Sequence, residues 1–276
     1  MKLGFSEQAP PYRSASQLAR HWTEAWVREQ VYYTNCGQFN IIKYENNRPA
    51  ADFHCNACNE EYELKSQKRK FGRKIVDGAY RTLCERLASS DNPNFMLLNY
   101  DLGAHAVTNL FVVPKHFFVS DIVERRKPLA PTARRAGWVG CNILLEKIPE
   151  SGKIFLIQNG LPIPKDLVLS RWQQTLFLRD KNSEARGWLI EVMKCVELLN
   201  KPSFDLDDLY GFETRLIGIY PRNRHIKEKI RQQLQVLRDQ AIWNSWHAAS
   251  TGLLITERYY YPQVQTMSGT GDPICQ

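Results

Sequence analysis

A mixed α/β domain followed by a mainly helical domain is the fold class that this 276-residue sequence predicts. Apolar runs at 95–100, 109–113 and 154–158 have the length and composition of buried strands. They lie among stretches whose apolar residues recur at helical spacing. From Gly187 onward the strand pattern stops and three amphipathic helical segments follow one another. We therefore expect a sheet-containing core before residue 184 and helices after it.

The elements around this core follow from local patterns. Residues 14–31 predict an amphipathic helix, because Leu18, Trp22 and Trp26 recur at helical spacing behind a capping-box pattern that begins at Ser14. Residues 77–88 predict a second helix by the same spacing. The Asn159-Gly160 pair after the run at 154–158 predicts a turn. The polar stretch 177–186 predicts a linker between the two domains.

The composition favours a polyanionic partner and argues against a membrane-spanning protein and a secreted, disulfide-rich protein. The net charge is +8, whereas the hydrophobic content of 43% and the charged content of 24% are ordinary for a globular protein. No apolar run approaches the roughly 20 residues of a membrane-spanning helix. The first residues contain no apolar signal core, so we expect a cytoplasmic protein. We also expect it to be monomeric and to have no membrane partner. Seven scattered cysteines do not suggest a secreted disulfide framework.

The stretch 46–74 contains the candidate catalytic residues. Glu63 and Lys65 are two positions apart in a predicted strand and therefore share a face. Asp52 lies on a preceding short strand, 50–54, and the intervening CNAC turn would close a hairpin. Two carboxylates and one ammonium group would then meet, which suits Mg²⁺ beside a phosphate. Six basic residues between 65 and 74 suit a phosphate backbone. The alternative is a solvated strand face with an incidental salt bridge.

The cysteines of this hairpin are candidate zinc ligands. Cys55 and Cys58 have the spacing of half a zinc ribbon, and Cys36 is followed by a glycine, as in zinc knuckles. The sequence shows no clear fourth zinc ligand, and His54 and His21 are the candidates. The alternative to a zinc site is a set of reduced thiols without a metal.

Two basic segments are candidate DNA contacts. Residues 125–142 combine two prolines, two glycines and five basic residues around a tryptophan, an arrangement suited to phosphates and base edges. The alternative is a proline-rich loop whose tryptophan fills the core. Residues 223–240 predict the last of three helices, with a basic stripe beside its apolar stripe, as in a helix-turn-helix or winged-helix module. Its alternative is a solvated helix face. The candidate residues are Arg134, Arg135, Trp138, Arg224, His225, Lys227 and Arg231.

Three blocks of the sequence resemble a known family. ENNRPAADFHCNACNEEYELKS, RKPLAPTARRAGWVGCNI and HIKEKIRQQLQVLRD are similar to the Dpn-type, methyl-directed (type IIM) restriction endonucleases. The resemblance runs from about residue 22 to residue 239. It implies Mg²⁺-dependent hydrolysis of phosphodiester bonds in double-stranded DNA at GATC sites that carry N6-methyladenine.

The resemblance also implies a domain organisation. We expect a PD-(D/E)xK catalytic domain with zinc-ribbon-like cysteines over 1–183 and a winged-helix DNA-binding domain over 184–250. The remaining residues, 251–276, are expected to be a divergent, partly disordered tail, in which 253–261 is a possible substitute for the strands of the wing.

The resemblance assigns roles to individual residues. Asp52, Glu63 and the carbonyl of Leu64 would hold Mg²⁺, and Lys65 would be the catalytic lysine. Cys36, Cys55 and Cys58 would bind Zn²⁺. Tyr33 stands where the family has its fourth cysteine. Two other functions compete with this one: a non-catalytic regulator with a zinc ribbon and a helix-turn-helix, and a decayed endonuclease that has lost its activity.

Overall fold

The computed structural model describes residues 1–5, 14–45, 51–88, 92–201, 203–240 and 259–260. Its chain divides into two compact units, residues 1–194 and 195–276. None of the helices in these described ranges is both long and apolar enough to cross a membrane. The mixed α/β region and the helical region that follows it confirm the predicted fold class.

A seven-stranded mixed sheet forms the centre of the first unit, with the order β1-β2-β3-β5-β6-β9-β10. All its neighbours are antiparallel except β3 and β5, which run parallel. A smaller sheet has the order β4-β8-β7. The strands are β1 Ile42–Lys43, β2 Phe53–His54, β3 Glu61–Gln67, β4 Lys74–Ala79, β5 Asn94–Asp101, β6 Ala106–Val113, β7 Val123–Arg125, β8 Gly140–Leu144, β9 Ile154–Gln158 and β10 Leu161–Pro162.

Helices cover one face of the large sheet. The helices of this unit are α1 Ala15–Gln30, α2 Tyr80–Ala88, α3 Lys165–Gln173 and α4 Ser183–Leu199, which ends in the second unit. Trp26 of α1 and Trp172 of α3 join one buried cluster with Met96 and Leu98 of β5. Phe95 alternates to the opposite face and packs edge-on against Phe118. Strand β5 is therefore buried on both faces, as its continuous apolar run predicts.

The described part of the second unit contains the end of α4, three further helices and a strand pair. The helices are α5 Leu206–Tyr210, α6 Glu213–Ile219 and α7 Ile226–Asp239. Strand β11, Ser203–Phe204, pairs antiparallel with β12, Tyr259–Tyr260. The apolar stripe predicted for the last helix is buried in α7, at Ile226, Ile230, Leu234 and Leu237. The expectations for 251–276 otherwise lie outside the described residues.

Three local predictions are wrong. Residues 77–88 do not form one helix: the backbone is a strand to Ala79, because β4 pairs with β8, and helix α2 begins at Tyr80. The stretch 177–186 is not a loose linker, since Leu178 is fully buried and α4 already begins at Ser183. The side chain of Ser14 does not cap α1 and instead bonds the Ser16 hydroxyl.

Candidate active site

The carboxylate of Asp52 is held against strand β3 by backbone groups. Its own amide donates to the carbonyl of Tyr62 at 2.9 Å, which continues the pairing of Phe53 with Tyr62. The amide of Leu64 then donates to Asp52 Oδ2 at 2.8 Å. The hairpin predicted from the CNAC turn therefore forms, and it places Asp52 beside the residue that separates Glu63 from Lys65.

Lys65 lies between two carboxylates. Its Nζ donates to Glu63 Oε1 at 2.6 Å and to Asp77 Oδ1 at 2.6 Å. Glu63 and Lys65 leave the same face of β3, as the period of two predicts, whereas Asp77 comes from β4 in the other sheet. The Asp77 side chain is only 7% exposed. The structure thus brings the three predicted residues together and adds a third carboxylate that the sequence reasoning missed.

Burial and neighbouring charges together shift the pKa values of the groups in this cluster. Burial raises the pKa of Glu63 to about 7, a shift that Lys65 opposes and that Asp77 and Asp52 reinforce. Burial also raises the pKa of Asp52, against the hydrogen bond from Leu64. Burial alone would lower the pKa of Lys65, but Glu63 and Asp77 raise it above its usual value. One ammonium group contacts the carboxylates of Glu63 and Asp77, and Asp52 adds a third negative charge nearby, so the cluster is suited to a further cation.

Helix α1 contributes a second layer of charge behind Asp52. Arg20 Nη2 lies 3.5 Å from Asp52 Oδ1, and Arg20 Nε lies 2.5 Å from Glu24 Oε1. Lys43 Nζ approaches the other oxygen of Glu24 at 2.7 Å. Glu24 is buried and contributes to the raised pKa of Asp52. The sequence signal for this pair was the spacing of four residues on one helix face, which by itself indicates only a solvated salt bridge.

The donor set fits Mg²⁺ at Asp52 and Glu63. Mg²⁺ is commonly bound by one or two carboxylates, with water and substrate phosphate oxygens completing its coordination. Asp52, directly before β2, and Glu63 of β3 supply two carboxylates, and burial raises the pKa of each. A divalent cation bound between them would favour their charged forms. Asp77 is engaged by Lys65 instead.

The three cysteines predicted as zinc ligands also come together. The Sγ atoms of Cys36, Cys55 and Cys58 all lie within 4.8 Å of one another, and those of Cys36 and Cys55 are 3.6 Å apart. Thiolates bound to one zinc at about 2.3 Å are separated by similar distances, so the set fits this ion. Within the described part of the chain, neither His21 nor His54 belongs to the cluster.

The Tyr33 hydroxyl forms hydrogen bonds with backbone groups rather than with the thiols. It accepts from the amide of Ile42 at 2.8 Å and donates to the carbonyl of His54. The side chain is almost fully buried, and burial raises its pKa to about 12. The Tyr33 hydroxyl therefore connects the start of β1, at Ile42, with the end of β2, at His54. In the family, where a cysteine stands at this position, a bound zinc ion would connect the corresponding segments.

The basic loop between β7 and β8 leads into β8, whose Cys141 pairs with Asp77 of the carboxylate cluster. Arg135 stacks on Trp138 with its guanidinium carbon 4.9 Å from the ring centroid, and Arg134 is exposed. Trp138 is half-buried and packs against Gly140, where any side chain would collide with the indole at 2.8 Å. The tryptophan thus lies partly against β8 and partly on the surface. It lines a cavity of about 450 Å³ with Tyr80 and Arg125.

The candidate DNA-contacting residues of the second unit lie on an exposed face of α7 or just before it. Arg224, His225, Lys227 and Arg231 are all exposed. Lys227 Nζ lies 3.6 Å from a carboxylate oxygen of Glu213 and over the ring of Tyr210. The basic stripe is thus exposed beside the buried apolar stripe, as the helical period predicts.

Family models match both parts of the chain. Residues 1–181 match the DpnI model, described as the Dam-replacing family, and residues 184–245 match the model described as the Dam-replacing HTH domain. The chain belongs to the Dam-replacing family. This family comprises DpnI-type, methyl-directed restriction endonucleases, which confirms the resemblance read from the sequence. The member described here joins a nuclease region to a DNA-binding helix-turn-helix domain.

Proposed function

We propose that this member of the Dam-replacing family is a Mg²⁺-dependent type II restriction endonuclease. Its substrate would be double-stranded DNA with N6-methyladenine in GATC sites. The observation that carries the proposal is the meeting of Asp52, Glu63 and Lys65 at β3, within the region that matches the nuclease family. A solvated strand face with an incidental salt bridge does not account for a largely buried lysine held between the carboxylates of Glu63 and Asp77.

Asp52, Glu63 and the carbonyl of Leu64 would hold the ion. When bound there, Mg²⁺ supplies a Lewis acid that polarises the scissile phosphate and stabilises the departing oxygen. Asp52 is prepared for this role because the Leu64 amide fixes one of its oxygens. Glu63 would exchange its contact with Lys65 for the ion.

Lys65 would act as an ammonium group. The two carboxylates beside it raise its pKa, which favours orienting the attacking water and neutralising a phosphate oxygen over removing a proton. Water would attack phosphorus in line, the bond to the 3′ oxygen would break, and a 5′-phosphate and a 3′-hydroxyl would result. Asp77 would hold Lys65 in place after Glu63 has turned to the ion, because it is the second acceptor of the ammonium group.

Zinc would have a structural role in this enzyme. Cys36, Cys55 and Cys58 join the loop before β1 to the turn between β2 and β3, so an ion bound there would fix the hairpin that carries Asp52. The fourth ligand would be a water molecule or another external donor, since the Tyr33 hydroxyl is occupied by backbone groups. Metal analysis of the purified protein tests this zinc site directly. About one zinc ion per chain is expected in the wild type, and the Cys58→Ser variant should lose the zinc.

Two surfaces would read the DNA. The basic loop would present Arg134, Arg135 and Trp138 to the duplex near the cleavage site, and the N-terminal half of α7 would enter the major groove of a winged-helix domain over 184–250. The N6-methyl group projects into the major groove, where an indole offers an apolar contact. The exposure of Arg224, His225, Lys227 and Arg231 supports the second surface.

Cleavage of plasmid DNA tests the function and separates it from its rivals. Plasmids with methylated and unmethylated GATC sites are incubated with the protein, with and without Mg²⁺. The proposal expects cutting only of methylated plasmid with Mg²⁺. A regulator would shift the DNA in a gel without nicking it, and a decayed endonuclease would bind methylated DNA selectively but leave it intact. Either result would overturn the proposed activity.

A further inference from the structure

A second cavity, of about 620 Å³, lies in the first unit away from the carboxylate cluster. It is bounded by the C-terminal half of α2, the turns that follow β6 and the start of α4. Leu87, Phe118 and Val119 form an apolar part of its wall. The volume lies in the range of small-molecule sites, which are usually apolar with a few convergent polar groups.

The polar part of the wall is strongly basic. Lys115, Arg179, Lys181 and Arg186 line the cavity, and its described lining contains no aspartate or glutamate. Lys115 and Arg179 share the buried carboxylate of Glu60, at 3.4 and 2.7 Å. Lys181 and Arg186 have no ion-pair partner among the described residues. Among the described residues, these two positive charges of the cavity are therefore uncompensated.

Four buried nitrogen atoms of the lining residues have no hydrogen-bond partner within the described structure: Nε and Nη2 of Arg179, Nε of Arg186 and Nδ1 of His116. The ion pair with Glu60 accounts for Arg179 Nη2. Buried polar atoms are nearly always satisfied, so each of the others needs an explanation. The hydroxyl of Thr175 donates to the carbonyl of Trp172 at 2.7 Å and lies 2.8 Å from His116 Nε2. Nε2 must then be the donor, and Nδ1 presents a lone pair.

The start of α4 adds to the attraction for anions. Asn182 and Ser183 line the cavity, and Asn182 Oδ1 caps the helix by accepting from the amide of Ala185 at 2.9 Å. The positive end of the helix dipole therefore lies beside the two uncompensated cations.

We propose that this cavity binds a nucleotide. Its phosphate would lie against Lys181, Arg186 and the first turn of α4. The base would pack on Phe118, and a hydroxyl or amino group of the ligand would donate to His116 Nδ1. A free nucleotide and a nucleotide of a DNA strand present the same chemistry, and an experiment can distinguish these sources.

Calorimetric titration of the protein as purified, without added Mg²⁺, with ADP tests the site. One saturable site is expected, and Arg186→Gln and Lys181→Gln should each weaken it by roughly tenfold, the effect of losing one charge-assisted contact. Arg28→Gln removes the same charge from an exposed position on α1 and should leave the affinity unchanged. Cys84, which lines the cavity, should be protected from alkylation by ADP in peptide mapping.

The same titration in the presence of a saturating methylated duplex identifies the source. Displacement of ADP by the duplex supports a site for a nucleotide of the DNA strand, and simultaneous binding supports a site for a free nucleotide. Absence of saturable binding at millimolar ADP would overturn the proposal. Equal affinity in wild type and both glutamine variants, without protection of Cys84, would also overturn it. Lys181 is exposed, so its variant keeps the test valid if Arg186→Gln does not fold.

Discussion

Replacing Asp77 by asparagine tests whether the second carboxylate at Lys65 positions the catalytic ammonium group. The substitution keeps the shape of a side chain that is 7% exposed and removes its charge. Lys65 donates to Glu63 and to Asp77 over 2.6 Å in each case, and the substitution removes the ion pair with Asp77. The carboxamide oxygen can still accept a hydrogen bond, so the full value of one charge-assisted bond is an upper bound on the loss. Such bonds contribute about 1.5–3 kcal/mol, equal to roughly a 10- to 150-fold change in rate if the contact persists in the transition state.

The assay is single-turnover cleavage of a methylated duplex at saturating enzyme and Mg²⁺. We expect Asp77→Asn to lower the rate constant by up to this factor while the affinity for the duplex stays unchanged, and Asp77→Glu to recover part of the rate. Asp180→Asn, at an exposed position, provides the matched control. A wild-type rate for Asp77→Asn would refute the positioning role. A rate loss accompanied by an equal loss of DNA affinity would refute it as well, because it would indicate a general structural defect.

Three further predictions concern other parts of the molecule. Tyr33→Phe removes the hydroxyl that joins Ile42 to His54, and urea unfolding should show a loss of about 1–2 kcal/mol; unchanged stability would contradict this. Lys227→Ala should weaken DNA binding about equally for all sequences and reduce the salt dependence by about one ion, measured by fluorescence anisotropy; an unchanged salt slope would argue against a phosphate contact. Burial lowers the pKa of His116 from 6.5 to about 3, so the unfolded chain takes up a proton in this window that the folded protein does not. The free energy of unfolding should therefore fall as pH decreases below 6.5, by at most about 1.4 kcal/mol per unit, and less steeply in His116→Gln; parallel curves would contradict it.

Strand β3, which carries Glu63 and Lys65, could be predicted because its signal is local. The period of two places Glu63 and Lys65 on one face of β3. The short CNAC turn brings the segment that contains Asp52 back alongside β3 in a hairpin. The apolar runs of β5 and β6 likewise identify strands that are buried on both faces. The last helix followed from the period of its apolar residues.

Asp77 could not be predicted, because its position depends on a distant pairing. The spacing of 77–88 is helical, yet β4 forms through pairing with β8, whose residues lie more than sixty positions later. The packing of 177–186 has a similar cause: Arg179 reaches the buried Glu60, a partner far away in sequence. Local polarity indicates a linker there, and only the tertiary contact shows otherwise. Both errors arose where a nonlocal interaction overrode a local propensity.

The central claim is that Asp52 and Lys65 carry out metal-dependent hydrolysis of methylated DNA. The most direct measurement is the cleavage of fully methylated plasmid by wild type, Asp52→Ala and Lys65→Ala in Mg²⁺, with duplex binding measured in parallel. We expect both variants to bind the duplex and to leave the plasmid uncut. Undiminished cutting by both variants would contradict the claim.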